Sequence, residues 1–404
     1  MHRAVGAVVA VAAAVALAAP AVARAEWQRG VDYTTYAATT YGSPASDSSL
    51  ARLAADGNSN VAIVVTRYMQ STTASSIIAT PRTPTDASIL HAVQTARSLG
   101  LAVTLKPQVD VLPSGWVGTV TPADPAAWFD SLQATIYHYA DLAQQGGAAM
   151  LVVGTEMQSM SGPAYTARWQ QLIAGVRQRF SGRLTYASNF DEFQQVQFWP
   201  SLDYIGVDGY WRLSNVADPS LESLLSAWAS TGHVTALRQA SLAVGKPVLL
   251  TEIGYRSVAG ATIHPNLWST TGALDLTEQA NAYEAAYRTF AGQPWIAGLY
   301  WWSWPATLPP DGSNTDYTPT FKPAEQVMQS WNAKLSAVGA PAAPVAPSPA
   351  PAPTSKPVST PKRHTRRKCV CRVRTGASRR GRRCKGARAH RKTRHAARRS
   401  RGGR

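Results

Sequence analysis

Short apolar runs recur along residues 29–302, and stretches with a different hydrophobic spacing separate them. Several runs are rich in β-branched residues and alternate little with polar residues, which is typical of strands buried on both faces of a parallel sheet. We predict eight strands, at residues 29–34, 61–67, 102–109, 150–156, 184–188, 204–210, 247–252 and 297–302.

The stretches between these runs carry apolar residues at helical spacing. In residues 86–99, Ile89, Leu90 and Val93 fall on one side of a helix, and Gly100 follows as a stop signal. We predict helices at residues 86–99, 124–145, 164–180, 221–244, 277–290 and 323–334.

Eight strands that alternate with helices over about 300 residues predict an α/β fold of the (β/α)8 TIM-barrel type. An open, doubly wound sheet is the alternative arrangement for the same order of elements. It is disfavoured because no glycine-rich phosphate-binding loop follows the first strand. We therefore assign residues 26–335 to one barrel domain, expected to be a monomer.

The N-terminus has the features of a secretion signal. His2 and Arg3 precede an apolar stretch at residues 4–19, and Ala23-Arg24-Ala25 forms an A-x-A cleavage site. Residues 1–25 are therefore a predicted signal peptide. The mature chain is expected to be secreted and to be retained at the cell wall. An uncleaved anchor is the alternative, and no later segment is apolar enough to span a membrane.

The net charge of +17 comes from the C-terminus. Residues 362–404 contain 20 Lys and Arg and no Asp or Glu, which leaves 20 Lys and Arg against 23 Asp and Glu in residues 1–361. Residues 336–361, rich in Pro, Ala and Ser, are predicted to be an extended linker, and the basic segment is predicted to be disordered.

We expect this tail to bind an anionic cell-surface polymer, with a solvated or proteolysed tail as the alternative. Nucleic acid is not the expected partner, because the chain carries an export signal and the tail lacks interleaved aromatic residues. Its cysteines, Cys369, Cys371 and Cys384, lack the spacing of a zinc site. The three cysteines are compatible with one disulfide and one free thiol, and the sequence does not fix which two are paired.

Two apolar runs end on glutamates. Glu156 closes the fourth predicted strand and Glu252 closes the seventh, and each follows a threonine. The fourth and seventh strands of an eight-stranded barrel face each other across its mouth, where catalytic groups of this fold lie. A pair of carboxylates can cleave a glycosidic bond, one protonating the leaving oxygen and the other attacking or activating water. This chemistry requires no cofactor, and no histidine cluster has metal-ligand spacing.

Seven motifs occur in order across residues 29–331. They are Leu105-Lys106-Pro107-Gln108-Val109-Asp110, Val153-Gly154-Thr155-Glu156-Met157, Leu184-Thr185-Tyr186-Ala187-Ser188-Asn189, Asp203-Tyr204-Ile205-Gly206-Val207-Asp208-Gly209-Tyr210, Thr251-Glu252-Ile253-Gly254-Tyr255-Arg256-Ser257, Tyr300-Trp301-Trp302-Ser303-Trp304, and Asp316-Tyr317-Thr318-Pro319 followed by Lys322-Pro323-Ala324. Together they resemble glycoside hydrolase family 113, a TIM-barrel family of the retaining clan A known mainly for endo-β-1,4-mannanases.

The resemblance implies catalytic roles. Glu156 matches the acid/base and Glu252 the nucleophile, with carboxyl groups expected about 5–5.5 Å apart and pKa values pushed apart. Thr155 stands where many clan members carry Asn, as is expected for this family. Gln108 stands where the family often carries His, and Gly209-Tyr210-Trp211 lacks the Pro-Leu expected there. These departures lie along the cleft, so they bear on the substrate rather than on the chemistry.

Aromatic residues at strand ends are the predicted platforms for sugar rings. Trp302 and Trp304 are expected to form the floor beneath the scissile sugar, and Trp301 is expected to face the helices if Trp302 faces the barrel. Trp116 and Trp211, in loops after strands, are candidates for outer subsites. Packing within the barrel is the alternative for each tryptophan.

Polar residues near the same strand ends are candidates for binding sugar hydroxyls or for supporting the glutamates. The expected hydroxyl-binding residues, for which a buried ion pair is the alternative, are Lys106, Asp110, Asn189 and Asp208. Tyr210 and Arg67 are expected to hydrogen-bond Glu252. Thr155 and Tyr255 are expected to hold the glutamates in position without contacting the substrate.

Three functions remain open from these residues. The first is a retaining endo-β-mannanase, or a relative acting on another β-linked polysaccharide. The second is a catalytically silent barrel that binds cell-wall polysaccharide, with the tail adding avidity. The third is an exo-acting glycosidase of the same clan. The presence of both glutamates favours an enzyme over the silent barrel.

Overall fold

The computed structural model describes residues 27–339. The predicted signal peptide and basic tail, and the predicted linker after residue 339, lie outside these residues. In the described part of the chain, no helix combines the length and apolar character needed to cross a membrane.

Eight parallel strands form a closed barrel in which each strand pairs with its neighbours in sequence and the first pairs with the last. The strands are β1 (Gln28–Thr34), β2 (Asn60–Met69), β3 (Ala102–Val111), β4 (Met150–Thr155), β5 (Arg183–Asn189), β6 (Ile205–Asp208), β7 (Val248–Ile253) and β8 (Ile296–Pro305). All eight predicted strands are present, and the predicted (β/α)8 TIM barrel is confirmed.

Helices connect the strands on the outside of the barrel. They are α1 (Pro44–Ala55), α2 (Asp86–Ser98), α3 (Pro125–Gly146), α4 (Thr166–Arg177), α5 (Leu221–Ser230), α6 (His233–Val244), α7 (Leu276–Phe290) and α8 (Pro323–Gly339). Side-chain caps define several starts: Asp124 accepts hydrogen bonds from two backbone amides at the start of α3, and Asp275 accepts one at the start of α7.

Three helical predictions differ from the structure. The segment 44–55 was not predicted as a helix, because it is rich in Ser and Ala and its apolar periodicity is weak, yet Ser43 caps it and Pro44 occupies its first turn. The predicted helix 221–244 is two helices, because Gly232 between them has a left-handed φ of 83°. Helix α8 continues to Gly339, so the predicted linker boundary at residue 336 falls inside a helix.

The barrel interior changes character along the strands. Near their N-terminal ends, Ala62, Met150, Leu249 and Tyr300 form a buried cluster. Toward the C-terminal ends the interior becomes charged, beginning with Lys106, which is 1% exposed. Because the outward-facing residues pack against the helices in a separate apolar layer, the charged interior is enclosed on all sides except the mouth.

Candidate active site

Both predicted catalytic glutamates lie at the C-terminal mouth of the barrel. Glu252 is within β7, and Glu156 directly follows β4. Parallel strands bring their C-terminal ends to one edge, which is why two residues almost a hundred positions apart in the chain meet there. Their charges interact, since Glu252 raises the pKa of Glu156.

The carboxylate of Glu252 is held at both oxygens. Lys106 Nζ donates to Oε1 at 2.6 Å, and the Tyr210 hydroxyl donates to Oε2 at 2.5 Å. Lys106 Nζ also donates to Asp32 Oδ1 and to the Thr251 carbonyl oxygen, each at 3.1 Å. These donors leave the carboxylate little rotational freedom and stabilise its charge.

Lys106 remains an ammonium although it is buried. Burial alone lowers the pKa of a lysine, but the negative charges of Asp32, Glu252 and Asp208 raise the pKa of Lys106 above its usual value. Burial also raises the pKa of Asp32, an effect that Lys106 opposes. Lys106 therefore provides a permanent positive charge beside the Glu252 carboxylate.

Asp208 adds a further buried carboxyl group to this cluster. Its Oδ1 accepts a hydrogen bond from the Thr251 hydroxyl at 2.7 Å and lies 4.0 Å from Lys106 Nζ. Burial and the charge of Glu252 raise the pKa of Asp208 well above its usual value. Four carboxyl groups, those of Asp32, Glu156, Asp208 and Glu252, thus share the charge of one lysine, so the site favours keeping protons on some of them.

Glu156 has a different environment. Burial, followed by the charge of Glu252, raises the pKa of Glu156 to about 8. Trp116 opposes this change, because its indole N–H donates a hydrogen bond to Glu156 Oε2 at 2.8 Å. A carboxyl group with this pKa is protonated at neutral pH and can act as a general acid.

The backbone at Glu156 is also unusual. Its φ is 50°, in the left-handed region that is unfavourable for a residue with a side chain, at a cost of about 1–3 kcal/mol. Two hydrogen bonds hold this conformation: Glu156 N donates to the Ala187 carbonyl oxygen, and Met157 N donates to the Tyr186 hydroxyl, both at 2.7 Å. Gly154 leaves room for Tyr186, since a Cβ there would lie 3.0 Å from its ring.

Several of the predicted cleft residues lie around the two glutamates. Trp302 is partly exposed, with its ring centroid 5.7 Å from Lys106 Nζ, while Trp301 stacks on Tyr283 of α7 as the alternation predicts. Asp110 lies in β3, and burial raises its pKa against the opposing charge of Arg82.

Trp116 follows β3 and is 39% exposed, so the residue is partly accessible to solvent. Its indole passes over the backbone of Gly118, where a Cβ would lie 2.3 Å from the ring. The glycine therefore permits the ring position from which Trp116 reaches Glu156.

Two predicted sugar platforms are buried elsewhere. Trp304 is fully buried and its indole N–H donates to Ser49 in α1, because the chain after Trp302 turns this ring toward the helices. Trp211 is 4% exposed and packs against Trp228 and His233. The expectation that these two rings contact sugar is corrected by their burial.

Two supporting roles are also corrected. Arg67 lies on the outward-facing side of β2, with its guanidinium 5.8 Å from the ring of Tyr139 in α3, so it is directed away from Glu252. Tyr255 follows β7 and is fully buried in the apolar layer. The error at Arg67 follows from alternation, since neighbouring residues of a strand face opposite sides of the sheet.

The polar candidates divide in a similar way. Lys106 lies within β3 and forms the buried ion pair that was the alternative to hydroxyl binding, and Asp208 is completely buried beside it. Asn189 uses its amide inside its own turn, donating to Asp191 and accepting from the Phe190 backbone. Thr155 donates to the Pro107 carbonyl oxygen and so ties the strand end of Glu156 to β3.

Sequence reasoning missed several residues of the site. Asp32 was the clearest available signal, because a charged residue stood inside a predicted buried strand. Tyr36, in the loop after β1, lies near Asp110 and Glu252, and burial, followed by the charges of these two carboxylates, raises its pKa. Tyr186 accepts the amide of Met157, the residue after Glu156, and Glu192 accepts the Tyr186 hydroxyl. No sequence pattern distinguishes these two residues from core residues.

The opposite end of the barrel has a cavity of about 490 Å³, lined by residues that include Gln28, Asn60, Arg183 and Tyr204. It contains neither glutamate, so its size does not identify the active site. Within residues 27–339, no group of three or more His, Cys, Asp or Glu side chains is arranged to hold a metal ion.

The chain is similar to known glycoside hydrolases. Residues 32–322 match the family model of Glycoside Hydrolase Family 113. A GH113 beta-mannanase from Alicyclobacillus acidocaldarius is 28% identical, with a TM-score of 0.70 over 77% of this chain and 98% of that one. A GH113 beta-1,4-mannanase is 25% identical, with a TM-score of 0.69 over 76% of this chain and 99% of that one.

A more distant structure shares the fold alone. A GH5_18 protein from Bifidobacterium longum is 13% identical, with a TM-score of 0.51 over 76% of this chain and 77% of that one. No curated protein matches the chain.

Proposed function

The chain belongs to glycoside hydrolase family 113, and on this premise we propose that it is an exported endo-β-1,4-mannanase that retains the anomeric configuration. The observation that carries the proposal is the asymmetry of the carboxyl pair. Glu252 is held by Lys106 and Tyr210, whereas Glu156 has a pKa of about 8. One group is suited to attack and the other to donate a proton.

In the first step, a carboxylate oxygen of Glu252 attacks the anomeric carbon of the scissile mannose. The bond to the glycosidic oxygen breaks, and Glu156 transfers its proton to that oxygen, which leaves as the hydroxyl of the departing sugar chain. The product is a glycosyl ester of Glu252. Lys106 keeps its contact with Asp32 while the charge of Glu252 is consumed.

In the second step, Glu156 acts as a base. It removes a proton from water, the water oxygen bonds to the anomeric carbon, and the ester bond to Glu252 breaks. Because the charge of Glu252 contributes to the raised pKa of Glu156, loss of that charge in the ester lowers the pKa of Glu156. This coupling favours the acid form before the first step and the base form before the second.

The mannan assignment rests on the two GH113 mannanases at 25–28% identity. It is tested by reducing-end release from β-mannan, glucomannan, xylan and β-glucans, with wild type and Glu252→Gln compared. We expect activity on mannan that falls at least about 10⁴-fold in the variant. Glu284→Gln, which changes a carboxylate of α7, is the control and should retain activity.

Endo action is tested separately by the products. A rapid fall in mannan viscosity with few reducing ends supports cleavage within the chain, whereas release of one short sugar from the start contradicts it. A folded protein that binds the polysaccharide panel but cleaves none of it would support a binding barrel instead.

We also propose that the protein is exported through residues 1–25 and retained by its basic tail. The tail carries 20 Lys and Arg without an acidic residue, which favours anionic cell-surface polymers. The test compares retention on washed cells of the full chain and of a chain ending at Pro361. Equal retention of the two would contradict a role for the tail.

A further inference from the structure

A buried carboxyl group behind Glu156 has no role in the chemistry described above. Glu192 lies in the turn after β5 and is completely buried. Its Oε1 accepts a hydrogen bond from the Tyr186 hydroxyl at 2.5 Å, and its Oε2 accepts one from Asn189 N at 2.8 Å. Burying a carboxyl group is costly, so its retention in a protein core requires an explanation.

The Tyr186 hydroxyl connects Glu192 to the catalytic strand end. A phenol has one proton, and here that proton is donated to Glu192, so the oxygen is left to accept the N–H of Met157 at 2.7 Å. The Tyr186 ring is fixed by packing, with ring centroids 5.2 Å from Trp169 and 5.4 Å from Phe198. The hydroxyl therefore occupies one position.

Met157 is the residue after Glu156, so its amide controls the peptide plane that leaves the acid/base. Glu156 is in a left-handed conformation, which a glutamate does not prefer. Without an acceptor for Met157 N, the peptide plane is free to rotate toward a more favourable conformation, and the Glu156 side chain would move with it. Positioning errors of this size reduce catalysis strongly.

We propose that Glu192 is a positioning residue that acts through Tyr186 to hold the Met157 amide, and thereby keeps Glu156 in its strained, catalytically competent orientation. The role of Glu156 rests on the proposed function, while the hydrogen-bond chain itself does not. Glu192 contacts neither the nucleophile nor the open cleft, so it is a support for the acid/base and takes no part in bond making.

A carboxylate suits this position better than an amide. The Tyr186 hydroxyl and Asn189 N donate to the two oxygens of Glu192, and the Ser161 side chain also hydrogen-bonds this carboxyl group. A glutamine has one acceptor oxygen and an NH₂ group, so one of the two donors would face another donor. Glu192→Gln therefore removes a specific acceptor with little change in shape.

Burial raises the pKa of Glu192 to about 7, so near pH 8 the group is mainly charged, and this charge contributes to the raised pKa of Glu156. The other groups whose charges or dipoles act on Glu156 are Glu252 on β7, Asp208 on β6, Lys106 on β3 and Trp116 in the loop after β3. Removing the negative charge of Glu192 lowers the pKa of Glu156, so the alkaline limb of kcat/KM is expected to move to lower pH in Glu192→Gln. Tyr186→Phe keeps that charge.

The first experiment compares two substrates that differ in their need for an acid. β-1,4-Mannan requires protonation of its leaving group, whereas a dinitrophenyl β-mannobioside does not, because its phenol leaves readily as an anion. We expect Glu192→Gln and Tyr186→Phe to lower kcat/KM on mannan by about 10-fold or more and on the aryl substrate by less than about 3-fold.

Two control variants make the comparison specific. Glu278→Gln removes a buried carboxylate that accepts the backbone amides of Gly260 and Thr262, and Tyr287→Phe removes a buried hydroxyl that accepts from Trp301. Damage to the barrel in general lowers both activities equally. Equal losses on mannan and on the aryl substrate in Glu192→Gln and Tyr186→Phe would overturn the inference.

The second experiment does not depend on activity. Hydrogen exchange at the Met157 amide should be faster by about 10-fold or more in Glu192→Gln and Tyr186→Phe than in wild type and the two controls. An unchanged rate at Met157 would refute the hydrogen-bond chain even if hydrolysis were impaired. A wild type inactive on every glycan would refute the proposed function, and the exchange rates would still decide the role of Glu192.

Discussion

The two glutamates that we propose to be catalytic follow the same residue type at the same kind of strand end, yet their surroundings are opposite. Glu252 faces a buried ammonium and a phenol hydroxyl, one at each oxygen. Glu156 accepts one indole N–H and has a strained backbone. The difference shows that the roles of identical side chains are assigned by their neighbours.

The preceding threonines show the same divergence. Thr155 donates to the Pro107 carbonyl oxygen on β3, whereas Thr251 donates to the Asp208 carboxyl group on β6. One Thr-Glu pair is tied to backbone and the other to the charged cluster. The environments of the two glutamates therefore already differ at the residue before each of them.

Removing the Lys106 ammonium, which faces Glu252 but not Glu156, should have the largest effect. Lys106→Met leaves Asp32 and Glu252 without their counter-charge, and we expect kcat/KM to fall about 100- to 1,000-fold and the free energy of unfolding to fall by about 3–5 kcal/mol. Arg52→Met, which breaks the ion pair with Glu325 away from the site, should cost stability without a comparable loss of kcat/KM. Activity within a few-fold of wild type in Lys106→Met would contradict this role.

Removing the Tyr210 hydroxyl should also affect Glu252, but less than removing the Lys106 ammonium. Tyr210→Phe removes the 2.5 Å hydrogen bond to Glu252 Oε2, and a hydrogen bond to a charged group corresponds to about a 10- to 100-fold loss in kcat/KM. The matched control is Tyr33→Phe. This variant also loses a buried hydroxyl, but that hydroxyl bonds Ser46 outside the barrel. Equal activity of the two variants would show that Tyr210 does not support the nucleophile.

The pH dependence of kcat/KM tests the environment of Glu156. Because Glu156 must be protonated to act as an acid and its pKa is about 8, kcat/KM on mannan should be maintained below that pH and fall as the pH rises through about 8. In Glu156→Gln, kcat/KM on mannan should be very low, and its residual value should lack this alkaline limb. A limb that persists in the variant would assign it to another group.

The smallest expected effect comes from removing the hydrogen bond between Trp116 and Glu156. Trp116→Phe keeps an aromatic ring but removes the N–H that lowers the pKa of Glu156, so the alkaline limb should move to higher pH, with a loss in kcat/KM of about 3- to 10-fold. This direction is opposite to that expected for Glu192→Gln. Trp268→Phe changes a tryptophan that is 76% exposed and serves as the control. A shift to lower pH in Trp116→Phe would be inconsistent with the hydrogen bond.

Much of the fold could be predicted from the hydrophobic pattern, because each buried strand of a parallel barrel needs a run of apolar residues regardless of its partners. The helix α1 escaped prediction because Ser and Ala supply little periodicity, and Gly232 broke a helix that the pattern suggested was continuous. Inward and outward positions were harder to assign. Arg67 was placed on the wrong side because alternation leaves two opposite choices until the barrel closes, and Trp304 because an irregularity in the pairing of β1 with β8 after Trp302 interrupts the alternation.

The sequence by itself determined the order of strands and helices, the position of a glutamate at the ends of β4 and β7, and the concentration of positive charge after residue 361. Only the tertiary structure decided what each glutamate faces. Lys106 is 146 residues from Glu252, and Trp116 is 40 residues from Glu156. Local sequence cannot specify such contacts, because they form only when eight strands close and bring distant inward-facing side chains into one enclosed space of low dielectric.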